Sequence, residues 1–120
     1  MKPTILLVDD HEVVRRGLRN MVDGQWEICG EACNGKQAIE KILELHPDLV
    51  LMDISMPVMN GIEAAREIRR LRLPVKILIL SMHNSGIIAE QAIEAGADAF
   101  LAKDCGADKL TKSIAKLLSE

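Results

Sequence analysis

Short apolar runs limit what this chain can become, because each ends in a residue with chemistry to offer. Ile5-Leu6-Leu7-Val8 leads into Asp9-Asp10, Leu49-Val50-Leu51-Met52 into Asp53, Val75-Lys76-Ile77-Leu78-Ile79-Leu80 into Ser81, and Ala99-Phe100-Leu101-Ala102 into Lys103. A strand without polar alternation is buried on both faces, the condition of a parallel sheet covered by helices on each side. Sheets of that kind offer their chemistry at the carboxyl ends of the strands. Three acids, a hydroxyl and an amine are therefore expected along one edge.

The segments between the runs have the period of a helix. Glu12 to Val22 spaces Val13, Val14, Leu18 and Met21 as an apolar face, with Asp23-Gly24 as its stop. Glu27 to Glu31 is a weaker strand signal. The Asn34-Gly35 turn leads into Lys36 to Leu45, with Ala38, Ile39, Ile42 and Leu43 inward, and His46-Pro47 ends it. Ile62 to Leu71 follows the turn from Met56 to Gly61. Asn84-Ser85-Gly86 opens a helix with Ile87, Ile88, Ala92 and Ile93 inward, which Gly96 ends, and the last helix, Gly106 to Leu118, turns Leu110, Ile114, Leu117 and Leu118 inward. No linker, repeat or low-complexity tract breaks the alternation, and 120 residues suffice for one core but not two. One doubly wound α/β domain is expected.

Composition removes several functions. The only aromatic residues are Trp26 and Phe100, which does not suit a surface that stacks bases, and the formal charge of −3 opposes tight electrostatic binding to DNA. No signal peptide opens the chain and no apolar run nears the roughly 18 residues of a membrane span, so a soluble cytoplasmic protein without membrane contact is expected. Cys29, Cys33 and Cys105 form no CxxC pair and read as reduced thiols. His11, His46 and His83 lack metal-ligand spacing, Met52, Met56, Met59 and Met82 read as gap-fillers, and Arg66, Arg69, Arg70 and Arg72 as a solvated basic strip. Gly30, Gly35 and Gly96 make no phosphate-binding loop.

The acids carry the sharper signal. Carboxylates about 4 Å apart repel by about 4 kcal/mol at an effective dielectric near 20, so a site joining Asp9, Asp10 and Asp53 needs counter-charge. Lys103 supplies part. Oxygen-only donors favour Mg²⁺ over zinc for the rest. An Asp-Asp pair alone does no more than cap a helix or face solvent. The same edge also receiving Asp53, Ser81 and Lys103 points instead to phosphoryl transfer, in which positive charge surrounds the moving group while a carboxylate attacks in line.

Together, Val8-Asp9-Asp10-His11, the block Leu51-Met52-Asp53-Ile54-Ser55-Met56-Pro57 with Gly61, Leu80-Ser81, and Phe100-Leu101-Ala102-Lys103 resemble the receiver domain of two-component response regulators, over essentially the whole chain. The resemblance implies a flavodoxin-like (βα)5 domain with strand order 2-1-3-4-5, and Asp53 as acceptor of a phosphoryl group from a sensor histidine kinase. It implies Mg²⁺ held by Asp10, Asp53 and the Ser55 backbone carbonyl, with Asp9 acting through water. Lys103 and Ser81 would bind phosphoryl oxygens, and Ser81 and Phe100 would form the switch. Phe100 lacks the phenol that the family often carries there. His83 and Ser55 stand where the family modulates loss of the phosphoryl group. The only chemistry implied is self-catalysed phosphorylation and autodephosphorylation, and the domain is otherwise not an enzyme.

His11 after the acid pair, Val14-Arg15-Arg16-Gly17-Leu18 and Ser81-Met82-His83 are similar to the NarL/LuxR-type regulators. There a receiver, here residues 1–120, precedes a helix-turn-helix effector domain that this chain does not contain, and DNA is met only through that effector. The alternatives are a stand-alone receiver acting by protein contact, or an aspartate-nucleophile phosphohydrolase. A phosphohydrolase usually has a second acid two residues after the nucleophile, where Ser55 stands. Homodimerisation on phosphorylation has two candidate faces, those of the first and fifth helices.

Overall fold

The computed structural model describes residues 2–22, 24–82 and 86–120. Strand and helix alternate throughout: β1 (Thr4–Val8), α1 (Glu12–Val22), β2 (Glu27–Ala32), α2 (Gly35–Leu45), β3 (Leu49–Asp53), α3 (Gly61–Arg70), β4 (Lys76–Ser81), α4 (Gly86–Glu94), β5 (Ala99–Ala102) and α5 (Ala107–Leu118). The strands form one parallel sheet in the order β2-β1-β3-β4-β5, as expected for the flavodoxin-like fold. The helix stop at Asp23, the helix-opening pair Asn84-Ser85 and the modulatory position His83 lie outside the described residues.

The period of two along each strand divides the core into two layers. Leu6 and Val8, Val50 and Met52, and Ile77 and Ile79 face a layer closed by Ala38 and Ile42 of α2, Ala64, Ala65 and Ile68 of α3, and Ala92 of α4. Ile5 and Leu7, Leu49 and Leu51, and Leu78 and Leu80 face the other, closed by Leu18 and Val22 of α1 and Leu110, Ile114 and Leu117 of α5. All five residues of β3 are buried. An element apolar on both sides has nowhere else to go.

Several helix faces differ from the sequence expectation. On α1 the inward stripe is Val14, Leu18 and Val22, a spacing of four, while Val13 and Met21 are exposed. Successive residues lie about 100° apart around a helix, so Val13 and Val14 cannot both face the sheet. Leu43 of α2 is exposed for the same reason, as are Ile87 and Ile93 of α4, where small Ala92 is the fully buried contact. Met82 is also exposed. The basic strip needs a further correction, because Arg69 is not solvated like its neighbours. Its guanidinium donates to the carbonyls of Gly96, Leu73 and Val75 and pairs with Asp98 at 2.7 Å. Arg70 pairs with Glu67 on the helix surface. Cys29, Cys33 and Cys105 are free thiols, and His46 is the exposed left-handed cap of α2.

Candidate functional site

Strand parity also selects which polar groups meet beyond the strand ends. Asp9 continues the face of Ile5 and Leu7, Asp53 that of Leu49 and Leu51, and Lys103 that of Ala99 and Leu101. β5 lies two strand spacings, about 10 Å, from β3, a gap that calls for a long side chain. Lys103 closes it. Its Nζ lies 2.7 Å from Asp9 Oδ2 and 3.2 Å from Asp53 Oδ1. Both carboxylates are buried, at 1% exposure for Asp9 and 5% for Asp53.

One ammonium shared by two buried anions leaves charge unbalanced. Burial raises the Asp53 carboxyl above its ordinary range, the charge of Asp9 raises it further, and Lys103 with the Ile54 N–H only partly opposes them. Lys103 is raised as well: burial pulls it down, but the hydrogen bond to Asp9 and the charges of Asp53 and Asp9 outweigh burial.

The loop after β3 is tightly folded. The Gly61 N–H donates to Ile54 O at 2.9 Å, and a Cβ on Gly61 would stand 2.2 Å from the Asp53 carbonyl oxygen, so only glycine fits. The Met59 N–H donates to Pro57 O at 2.7 Å across Val58, whose φ of 69° is rare for a β-branched residue. Met59 O in turn accepts from the N–H of Gly35 at the start of α2. Ser55 is exposed in this loop. The Asn60-Glu63 capping box then starts α3.

Ser81 and Phe100 take the opposite parity. Phe100 pairs in register with Ile79 and packs half-buried on the layer that holds Ile79 and Ala92, while Ser81, two residues beyond Ile79, is 1% exposed. The Ser81 carbonyl accepts from the Lys103 N–H at 2.9 Å.

Asp10 does not join Lys103. Its Oδ1 lies 3.0 Å from His11 Nδ1, which is also 3.3 Å from Asp9 Oδ1, and the His11 N–H caps Asp9 Oδ1 at 2.9 Å. Asp9, Asp10 and His11 therefore offer ligand atoms within 4.8 Å of one another, and among the described residues no other such group forms. The sequence offers His11 only as a subgroup marker without metal-ligand spacing, whereas the structure sets it against both acids, two residues after Asp9 as an Asx turn requires. Arg15 has no site role in the sequence reading either, yet it donates to the Asp9 carbonyl at 2.5 Å from the first turns of α1. Asp53 stays outside the group of Asp9, Asp10 and His11 and meets Asp9 through Lys103, and the carboxylate oxygens of Asp9, Asp10 and Asp53 are donors of the kind a hard divalent cation takes.

Residues 5–115 match the family model of the response regulator receiver domain. The chain is 37% identical over 118 residues to the chemotaxis protein CheY of Thermotoga maritima, covering 98% of each. To the nitrate/nitrite response regulator protein NarL of Escherichia coli (strain K12) it is 39% identical over 113 residues, covering 92% of this chain and 52% of NarL. It superposes with a TM-score of 0.93 on a two-component response regulator of the LuxR family from Aurantimonas sp. SI85-9A1, at 35% identity over 99% of this chain and 86% of that one. The chain spans about half the length of the transcriptional regulatory proteins it matches. With the parallel sheet, its strand order and the match over nearly its whole length, the chain belongs to the response regulator receiver domain family.

Proposed function

We propose that this domain is a phosphorylation-driven signalling switch in which Asp53 accepts a phosphoryl group from the phosphohistidine of a sensor kinase. The observation that carries the reading is the buried Asp53 carboxylate sharing Lys103 with buried Asp9 at the open edge of the sheet. Lys103 and the Ile54 N–H engage Oδ1, so Oδ2 is the attacking oxygen. It forms a bond to phosphorus as the phosphorus–nitrogen bond breaks, and the imidazole leaves with the electron pair.

Asp10, Asp53 and the Ser55 carbonyl would hold Mg²⁺, with Asp9 contributing through water. Bound there, Mg²⁺ supplies positive charge to the oxygens of the transferring group. Lys103 pairs with one phosphoryl oxygen and the Ser81 hydroxyl donates to another. The added charge, nearly two units, draws Ser81 toward the site, and Phe100, two strand positions away on the same face, takes up the space released. Two populations of the surface around α4, β5 and α5 follow. His83 and Ser55 set how fast the phosphoryl group is lost.

The relatives include a transcriptional regulatory protein and a chemotaxis protein. We assign this receiver to the former kind, with a helix-turn-helix effector meeting DNA, homodimerisation on phosphorylation and a cytoplasmic location.

Intact-mass measurement after treatment with acetyl phosphate and Mg²⁺ tests the assignment. One phosphoryl increment is expected on the wild type and none on Asp53→Asn. An adduct that survives in D53N, or no adduct at all, overturns it, and rapid turnover of phosphate esters establishes a phosphohydrolase instead.

A further inference from the structure

Arg15 occupies a place that none of the site chemistry above uses. Its Nε pairs with Glu31 Oε1 at 2.6 Å, and its Nη1 donates to the Asp9 carbonyl at 2.5 Å, the peptide that joins Asp9 to Asp10. The side chain is 17% exposed. Arg19, one helical turn on, pairs with the other oxygen of Glu31, Oε2, at 2.6 Å but reaches no part of the acid pair. Glu31 is held below its ordinary range by the hydrogen bond from Arg19, against the effect of burial, and then by Arg15. The arrangement runs from α1 through the end of β2 to the bend after β1.

We infer that Arg15 is a positioning residue for the cation site: anchored by Glu31, it fixes the Asp9-Asp10 peptide and thereby the backbone from which both carboxylates extend. The inference rests on the phosphoacceptor reading. A guanidinium held by a carboxylate at one end has lost its rotamer freedom, so its bond to the carbonyl fixes the backbone rather than following it. Its positive charge by itself opposes a nearby cation, but Glu31 neutralises part of it, so the effect on Mg²⁺ is carried by the backbone and not by the charge. Asp9 is held from its other side as well, since its own N–H donates to Ala32 O at 3.1 Å. The two peptides that flank the Asp9 side chain are thus held, the first by β2 and the second by α1.

The pair of arginines makes the test selective, because both share Glu31 and one alone touches the acid pair. Calorimetric titration with Mg²⁺ in the absence of any phosphodonor reads the site directly, with thermal unfolding run beside it. Partners that orient metal ligands change affinity about tenfold when removed, and Arg15→Met is expected to weaken Mg²⁺ binding by about that factor. Arg19→Met should stay within about twofold of the wild type while losing comparable thermal stability. Arg15→Lys, which keeps the charge but cannot span Glu31 and the carbonyl, should fall between, and it decides the matter where Arg15→Met does not fold. At saturating Mg²⁺, adduct formation from acetyl phosphate should recover in Arg15→Lys, which separates positioning from the chemical step. Unchanged Mg²⁺ affinity in the folded Arg15 variants, or an equal loss in Arg19→Met, overturns the positioning role while the phosphoacceptor reading stands. A wild type that binds no Mg²⁺ and gains no phosphoryl mass overturns the phosphoacceptor reading itself.

Discussion

Each end of the sheet holds a charged cluster that ties separate elements together, and the two are built on opposite plans. At the amino edge, Arg69 of α3 serves the carbonyls of Gly96, Leu73 and Val75 and the carboxylate of Asp98, which also accepts the Ile77 N–H at 2.8 Å. One cation meets one anion, and the remaining donors meet neutral acceptors. At the carboxyl edge, Lys103 faces two buried carboxylates with a third close by. The first cluster is balanced and locks β4 and β5 to α3. The second carries surplus negative charge, which costs stability in the resting state and, on the proposed function, is relieved by a cation or used as nucleophilicity. Charge balance, more than the presence of ion pairs, separates the structural end from the one proposed to react.

The largest test of this contrast removes the centre of the balanced cluster. Arg69→Ala would take the guanidinium from Asp98 and from the carbonyls of Gly96, Leu73 and Val75, leaving Asp98 with the Ile77 N–H and Leu73 with the Val75 N–H, and losses of this kind cost about 3 kcal/mol in total once water reaches part of them. The urea midpoint should fall accordingly, while Mg²⁺-dependent adduct formation on the folded variant stays at the wild-type level. Loss of adduct formation in a folded Arg69→Ala protein would show that the two ends are not independent.

A smaller effect is expected from Gly96→Ala. Gly96 has φ of 114°, and a Cβ there would stand 2.3 Å from Arg69 Cγ. Backbone strain and the displaced arginine together should cost about 2 kcal/mol, again read from the urea midpoint. Gly24→Ala is the control for strain alone, since Gly24 shares a positive φ of 90° but a Cβ there meets nothing within 4 Å.

The two ends also differ in how far the sequence reveals them. Asp53 and Lys103 are legible because each ends an apolar run, and strand parity then carries them to one face without knowledge of any loop. The fold follows from the same runs. Arg69 is not legible: it sits among Arg66, Arg70 and Arg72 with ordinary helix-surface spacing, and only the turn after α3, with Arg72 at φ of 57°, brings it over the start of β4 and β5. Arg15 is hidden likewise, since its partners Asp9 and Glu31 lie far apart in sequence, one just after β1 and the other on β2. Helix faces fail where the apolar set is wider than the face, as with Val13 beside Val14 or Ile87 and Ile93 around Ala92. The turn of Asp10 toward His11 rather than Lys103 depends on side-chain rotation about a loop, which no spacing rule fixes.

The smallest and most diagnostic effect concerns the unbalanced end itself. Asp53→Asn removes one of two anions competing for Lys103, so at neutral pH the variant should be more stable than the wild type, by about 1 kcal/mol on the scale of single buried-charge changes. The sign of the pH dependence follows from linkage. The native carboxyl of Asp53 titrates above its unfolded value, so between the two the native state binds more protons and stability falls as pH rises. Acidification through the raised native value should therefore recover stability in the wild type, and the advantage of D53N should shrink as it does. Glu31, held low by Arg19 and Arg15, loses its contribution as pH falls, but equally in both proteins, so the difference between the two stability curves isolates Asp53. At the alkaline end Lys103 contributes its full stability below its unfolded value and loses it progressively as pH rises to its raised native value. An Asp53→Asn variant that is less stable at neutral pH, or whose advantage does not narrow on acidification, would mean that the carboxyl edge is as well balanced as the amino edge.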